Sequence, residues 1–391
     1  MDLTIQPGKL RGEIQIIPSK SQAHRLLICA AFADAPTELG CPETNQDIEA
    51  TADCLRSLGA EIRRTDMGYS VTPGAVRPHT AVLNCRESGS TLRFMLPVAG
   101  ALGVDTTFQM AGRLPQRPLS PLWEEMERMG CTLSRPTPDT IRCQGRLEPG
   151  VYRIDGSVSS QFITGLLLAL SLLEKESRLE ITGRIESKPY IDMTKQAMEL
   201  FGADPAHPGK LPLRSPGKLT VEGDWSNGAF WLAAKLLGNP VTVTGLDDAS
   251  AQGDRAVAQL LPWFAAGTTT VCAKDIPDLV PILAVTAAAR HGAVFSDIRR
   301  LRLKESDRVA STIAMIEALG GKATADENIM TVYGTGLIGG TVDAVNDHRI
   351  AMAAAIAATV CTKPVTVLGA QCVQKSYPRF WEEYRRLGGK I

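Results

Sequence analysis

Cys54–Ile62 reads CLRSLGAEI. An amphipathic helix runs to Leu58, Gly59 follows, and Ala60-Glu61-Ile62 alternates as a strand does. The physical reading is a helix C-cap. A glycine just past the last helical residue takes the left-handed conformation that a side chain resists, and the chain turns into a strand. The same phrase returns as Met126–Leu133 (MERMGCTL), Met198–Ala203 (MELFGA), Leu261–Val271 (LPWFAAGTTTV), Ile316–Ala323 (IEALGGKA) and Tyr384–Ile391 (YRRLGGKI). The fourth copy is blurred by Pro262 and its threonine-rich strand. Copies recur at roughly 65 residues, too long a period for a solenoid. The pattern predicts one helix-and-strand unit used six times, three per domain.

A length of 391 residues favours two domains. Hydrophobic residues make up 44% and charged residues 21%, which excludes a disordered chain. Lys+Arg and Asp+Glu both number 42, so the formal charge is zero. A protein whose partner is nucleic acid usually carries a basic excess, and none is expected here. The nine cysteines are scattered with no C-x-x-C, which predicts reduced, mostly buried thiols and a cytoplasmic location. No signal peptide is expected. The apolar stretches Phe162–Leu173 and Ile350–Cys361 are too short to span a bilayer and read as buried helices.

Short strands are expected at Leu3–Ile5, Glu13–Ile17, Val151–Ile154, Leu179–Ile181, Leu219–Glu222, Val241–Val243 and Val365–Val367. Helices are expected after Ser21, Ser90, Ser160, Thr194, Ser226 and Asp347. The fold class is therefore α/β in mixed order. Two Pro/Gly-rich passages, Pro205–Pro216 and the region of Pro18, are candidate domain crossings.

Five segments combine residues suited to anions. PSKSQAHR (18–25) opens a helix with hydroxyls, Lys20 and Arg25; it is an anion site or a capped surface helix. ESGSTLR (87–93) offers backbone N–H groups near Gly89, or is a plain glycine turn. LPQRPL (114–119) holds Arg117 between prolines, suited to bidentate anion binding or simply a stiff loop. DGSVSSQF (155–162) has three serines and Gln161 ahead of a buried helix, as donors or as caps; SKPY (187–190) follows later. The last group is Asp278, KESDR (304–308), Asp347-His348-Arg349 and Lys375. Lys304 and Arg308, read as one turn apart on a helix face, repel unless an anion lies between them. No H-x-x-x-H, G-x-S-x-G or G-x-G-x-x-G occurs in a suitable context, so neither metal nor cofactor is expected.

Together these segments resemble the 5-enolpyruvylshikimate-3-phosphate synthases. The resemblance rests on PSKSQAHR, ESGSTLR, LPQRPL, SVSSQF, SKPYIDMT, GDWSNGAFW, IPDLVPILAV, KESDR, NDHRIAM and KSYPRFW, in the family's order from near Leu3 to the C-terminus. It implies two inside-out α/β domains of three similar units each, with the active site in the cleft between them. Residues 1–18 plus 222–391 would form one domain, on the phosphoenolpyruvate side and carrying the catalytic carboxylates. Residues 19–221 would form the other, on the shikimate 3-phosphate side. The implied reaction moves the enolpyruvyl group of phosphoenolpyruvate to the 5-hydroxyl of shikimate 3-phosphate and releases phosphate, by addition and elimination through a tetrahedral ketal, without metal or cofactor.

Carried over by motif, Lys20, Gly89, Arg117, Gln161, Arg308, Arg349 and Lys375 surround phosphoenolpyruvate. Ser21, Arg25, Ser159, Ser160, Ser187, Tyr190, Asp278 and Lys304 bind shikimate 3-phosphate. Asp278 is the implied base at the hydroxyl. Glu305 is the implied acid at the methylene carbon, and Lys20 shares the proton traffic. The partners implied are these two small molecules alone, with no membrane and no nucleic acid, for a monomer open to inhibition by glyphosate. Glu87 and Arg300 stand where the family pattern has other residues. The rival acceptor is UDP-N-acetylglucosamine, whose transferases carry a cysteine in the loop that here reads Ala111–Arg117 without one. A ligand-binding paralogue without activity is the other alternative.

Overall fold

The recurring apolar-Gly phrases fold as helix ends. Leu58, Met129, Phe201, Leu319 and Leu387 each close a helix. The glycine after each has positive φ: 106° at Gly59, 109° at Gly130, 71° at Gly202, 83° at Gly320 and 94° at Gly388. Gly267 departs from the expectation, with φ 167°, an extended value open to any residue. The third copy departs differently, because no strand follows Gly202. The next stretch carries Pro205, Pro208, Pro212 and Pro216, none of which can donate to a ladder.

The computed structural model describes Met1–Ile391 in full. The chain divides into a central unit, Pro18–Glu222, and a terminal unit, Met1–Ile17 with Gly223–Ile391. The proline-rich passage 205–216 lies inside the central unit and marks no crossing.

The central unit holds six helices: α1 (Lys20–Ala31), α2 (Gln46–Ser57), α3 (Gly89–Leu102), α4 (Leu122–Arg128), α5 (Ser160–Leu170) and α6 (Lys188–Leu200). The helix expected after Thr194 starts earlier, at Lys188, where Pro189 suits a first turn. Strands Thr37–Gly40, Glu61–Thr65, Gly68–Thr72 and Lys218–Thr220 form one sheet, with one parallel pair and two antiparallel pairs. The same order recurs in Thr80–Asn84, Asp105–Gln109, Thr140–Gly145 and Cys131–Ser134. Val151–Asp155 and Arg178–Thr182 form a parallel pair.

The terminal unit holds α7 (Trp225–Leu236), α8 (Val257–Ala266), α9 (Val280–Ala288), α10 (Arg308–Ala318), α11 (His348–Ala358) and α12 (Phe380–Arg386). Its four-stranded sheet, from Thr269–Cys272, Ala293–Ser296, Ile329–Tyr333 and Lys322–Ala325, repeats the same order. The first strand, Leu3–Ile5, pairs antiparallel with Val365–Leu368, which pairs parallel with Gly340–Asp343. Gly12–Gln15 pairs parallel with Val241–Thr244.

Each unit has its own apolar core. The buried helices α3, α5, α9 and α11 run through these cores, with polar residues at the N-termini of α3, α5 and α11 and Asp278 just ahead of α9. All nine cysteines are thiols; eight are buried, and Cys272 is exposed. No helix is long and apolar enough to cross a membrane.

Candidate active site

In the central unit, serines cap the helices that the motifs open. Ser19 Oγ accepts from the Gln22 N–H at 3.3 Å, Ser88 Oγ from Thr91 at 3.2 Å, and Ser159 Oγ from Gln161 at 3.3 Å. A first turn has several unsatisfied N–H groups, so one cap leaves donors for an anion. Gln161 Nε2 donates to Ser90 Oγ at 3.0 Å and fastens the start of α5 to the start of α3. The guanidinium groups of Arg117 and Arg93 lie against Gly89. A Cβ there would collide with Arg117 Nη1 and stand 2.8 Å from Arg93 Nη1. Lys20 Nζ pairs with Asp47 Oδ2 at 3.0 Å in the first turn of α2.

Behind these caps runs a buried chain. His24 Nδ1, Thr51 Oγ1 and Thr91 Oγ1 are successively 2.7 Å apart, and Thr91 donates to Ser88 Oγ at 2.8 Å. One direction satisfies the chain, with the His24 Nδ1–H donating to Thr51 and Thr51 to Thr91. Burial first, then the charges of Lys20 and Arg25, hold His24 well below its ordinary pKa, so it is neutral. Arg25 is buried. It donates to the Ser21 carbonyl at 2.6 Å, Thr194 at 2.8 Å, the Tyr190 carbonyl at 2.9 Å and Thr164 at 3.2 Å. Its guanidinium thereby ties α1, α5 and α6 together, and burial lowers its pKa to about 10. Ser187 opens α6 in the left-handed region, at φ 53°.

In the terminal unit, charge converges on one carboxylate. Asp278 stands just before α9. Arg308 Nη1 lies 2.5 Å and Lys304 Nζ 3.6 Å from its Oδ1, and Arg349 Nη2 lies 3.0 Å from its Oδ2. Lys304 and Arg308 do not share a helix face. Lys304 closes the 3-10 turn Arg299–Leu303, Arg308 opens α10, and the anion between them is Asp278 itself. Arg308 also holds Glu305 Oε2 at 2.6 Å and Asp347 Oδ2 at 2.8 Å. Asp347 is fully buried, caps α11 by accepting the Arg349 N–H at 3.0 Å, and accepts from the Ser306 hydroxyl at 2.9 Å. Lys375 Nζ donates to the Asn346 carbonyl at 2.9 Å. Val345 and Asn346 are both left-handed, at φ 44° and 57°, a strained turn that presents this carbonyl.

Burial alone would raise the Asp278 pKa. Arg349, Lys304 and Arg308 outweigh it and hold the carboxyl well below the usual range. Burial lowers Lys304 to about 8 against the pull of Asp278. The cluster has four cations, Lys304, Arg308, Arg349 and Lys375, to three carboxylates, Asp278, Glu305 and Asp347. It therefore favours an anionic ligand.

The sequence-derived residues of the terminal unit thus lie in one network, with Lys375 joined to it through the Asn346–Asp347 turn. Those of the central unit gather at the starts of α1, α3, α5 and α6. Glu87, the departure from the family pattern, lies against Gly112, with Oε2 2.5 Å from where a Cβ on that residue would stand. Its carboxylate rests on the loop ahead of Arg117. Arg300 is near enough to Lys304 to lower its pKa. Sequence reasoning gave no role to Asp47, Arg93 or Asp254, and named Asp347 only together with His348 and Arg349. An acid at a helix start reads as a cap, and only Arg93 and Asp347 carried a signal, an ion within or at the mouth of an apolar helix.

The family model for EPSP synthase (3-phosphoshikimate 1-carboxyvinyltransferase) matches residues 5–384. The 3-phosphoshikimate 1-carboxyvinyltransferase of Clostridium kluyveri is 38% identical, with 100% of this chain and 98% of that protein aligned. That of Clostridium novyi is 36% identical over the same shares. Among solved structures, an EPSP synthase from Acinetobacter baumannii superposes with a TM-score of 0.80 at 20% identity, covering 99% of this chain and 98% of that one. The enolpyruvyl transferase NikO from Streptomyces tendae gives 0.77 at 18% identity, covering 100% and 97%. The chain belongs to the EPSP synthase family.

Proposed function

We infer that the protein transfers the enolpyruvyl group of phosphoenolpyruvate to the 5-hydroxyl of shikimate 3-phosphate, releasing phosphate, as a step of aromatic amino-acid biosynthesis. Family membership supports the activity. The observation that carries the mechanism is the convergence of Lys304, Arg308 and Arg349 on Asp278, with Glu305 on the same arginine.

Both substrates bear a phosphate and a carboxylate, so binding brings a large negative load. In this reading Lys20, Arg117, Arg308, Arg349 and Lys375, with the Gly89 N–H and Gln161, hold phosphoenolpyruvate. Ser21, Arg25, Ser159, Ser160, Ser187, Tyr190 and Lys304 hold shikimate 3-phosphate beside Asp278. Asp278 surrounded by three cations is too acidic to act as a base. The incoming anions compete for Arg349 and Lys304. As those cations turn to substrate, Asp278 loses its counter-charges and burial raises its pKa. Binding and activation of the base become one event.

The 5-hydroxyl oxygen then attacks C2 of phosphoenolpyruvate while its proton passes to Asp278. Glu305, in its acid form, gives a proton to C3, and a ketal with a new methyl group results. In the reverse sense, the Glu305 carboxylate takes a proton from that methyl group. The double bond re-forms and the C2–O bond to phosphate breaks. Lys20 assists these transfers from its place beside Asp47. The fixed cations stabilise charge that develops on the phosphate.

The finer architecture belongs to the same proposal: domains 1–18 with 222–391 and 19–221, three similar units in each, and one active site between them. The repeated sheet order and the five left-handed glycines support it. The chain would work as a cytoplasmic monomer.

A ketal methyl group makes solvent exchange the direct test. In deuterated water, phosphoenolpyruvate recovered at partial turnover should carry deuterium at C3 only when shikimate 3-phosphate is present. Turnover with no deuterium in either substrate or product would refute addition and elimination.

A further inference from the structure

Asp254 has no part in the reaction as drawn. It lies in the 3-10 turn Gly253–Ala256 and is 3% exposed. The Ser226 hydroxyl donates to its Oδ2. Oδ1 is buried and has no hydrogen-bond partner, and no ion pair reaches the carboxyl. Its neighbour Arg255 directs its guanidinium to the Asp248 carbonyl instead. The charges that face Asp254 from the surrounding elements are Asp278 before α9, Arg349 at the start of α11 and Asp224, the cap of α7. Two of the three are acids, and the one cation already has Asp278 as its partner at 3.0 Å. A buried carboxyl with an unsatisfied oxygen and two acidic neighbours is most stable as the neutral acid.

We propose that Asp254 is a positioning residue for phosphoenolpyruvate: a neutral carboxylic acid beside the Asp278–Arg349 pair, whose loss of a proton draws Arg349 away from the substrate carboxylate. The proposal rests on the assignment of Arg349 to phosphoenolpyruvate made above. Protonated, Asp254 leaves Arg349 to Asp278 and, on binding, to the substrate. Ionised, it adds a second buried negative charge beside Arg349. It then competes for that guanidinium and repels an anionic ligand. Burial, reinforced by the charge of Asp278, raises its pKa to about 7, so the change falls within the working range. The sign follows: affinity for phosphoenolpyruvate is full below that pH and falls above it. Turnover at saturation moves less, because enough substrate restores the contact.

The test is the KM for phosphoenolpyruvate from phosphate release, at saturating shikimate 3-phosphate and pH 6–9, for wild type, Asp254→Asn and Ser226→Ala. The substrates titrate identically in all three, so ratios isolate Asp254. Relative to Asp254→Asn, the wild-type KM should climb by up to about tenfold per pH unit above the midpoint, with little change in the kcat ratio. Ser226→Ala removes a hydrogen bond that favours the carboxylate and should move the climb to higher pH. A KM ratio independent of pH, or a climb unmoved in Ser226→Ala, overturns the proposal. If Asp254→Asn fails to fold, Ser226→Ala against wild type still decides it. Wild type that releases no phosphate at any pH would instead refute the activity itself. An infrared titration gives an independent readout. Wild type should lose an acid carbonyl band near pH 7, and wild type without such a band contradicts the neutral Asp254.

Discussion

Gly89 has no room for a methyl group. Its Cα faces the Arg117 and Arg93 guanidinium groups, so Gly89→Ala must push Arg117 aside. A charge-assisted contact is worth about 1.5–3 kcal/mol. The KM for phosphoenolpyruvate should rise roughly 10- to 100-fold while that for shikimate 3-phosphate moves little; an equal rise in both would contradict the placement of Arg117. Glu305→Gln keeps the hydrogen-bonding shape beside Arg308 but cannot carry a proton. Turnover should fall by about 10²–10⁴ with substrate binding retained, and unchanged turnover would remove Glu305 from the proton path. Arg349 was legible because charge at the mouth of an apolar helix is costly without a purpose, whereas Arg308 was singled out for a repulsion with Lys304 on a shared helix face that the fold does not contain. Asp254 was not legible. It lies in an ordinary Gly-Asp-Arg loop, and only folding reveals that it is buried among other acids.

Among the elements, the left-handed glycine that ends a helix was readable in five of the six copies, and a following strand did not decide it: Gly202 has φ 71° with no strand after it, and Gly267 is extended although Thr269–Cys272 follows. Gly59 and Gly267 look alike in sequence and differ in the fold. A Cβ on Gly59 would lie 2.7 Å from the Val76 carbonyl at φ 106°, whereas Gly267 is extended with nothing near it. Gly59→Ala should destabilise by about 1–3 kcal/mol, and Gly267→Ala should be neutral or stabilise by about 0.4–1 kcal/mol. Denaturant unfolding of the pair measures this, and equal losses would deny the distinction. The His24–Thr51–Thr91–Ser88 chain binds α1, α2 and α3 and carries a pH dependence. His24 is held neutral when folded, while the unfolded chain takes up a proton below about pH 6.5. Its contribution to stability is therefore complete above that pH and is lost progressively below it. His24→Asn should flatten the fall in stability between about pH 6.5 and 5; an identical slope in both proteins would contradict a neutral His24. Pairings such as Leu3–Ile5 with Val365–Leu368 had no local signal, because a strand's period names its face and not its partner.

At the scale of the molecule, a chain of zero net charge gathers cations at a few helix starts in each unit. Composition hid this, because a sum over the whole chain does not say where its charges lie. The proposed reaction draws on residues of both units around one pair of substrates. Shikimate 3-phosphate should therefore compact the protein in solution scattering, and superimposable profiles with and without it would count against a shared site. The reaction proposed is enolpyruvyl transfer to one acceptor. Phosphate release from purified protein given phosphoenolpyruvate tests it, with shikimate 3-phosphate in one reaction and UDP-N-acetylglucosamine in another. Release with shikimate 3-phosphate alone is the predicted result. Release with the nucleotide sugar, or none with either from folded protein, would contradict it.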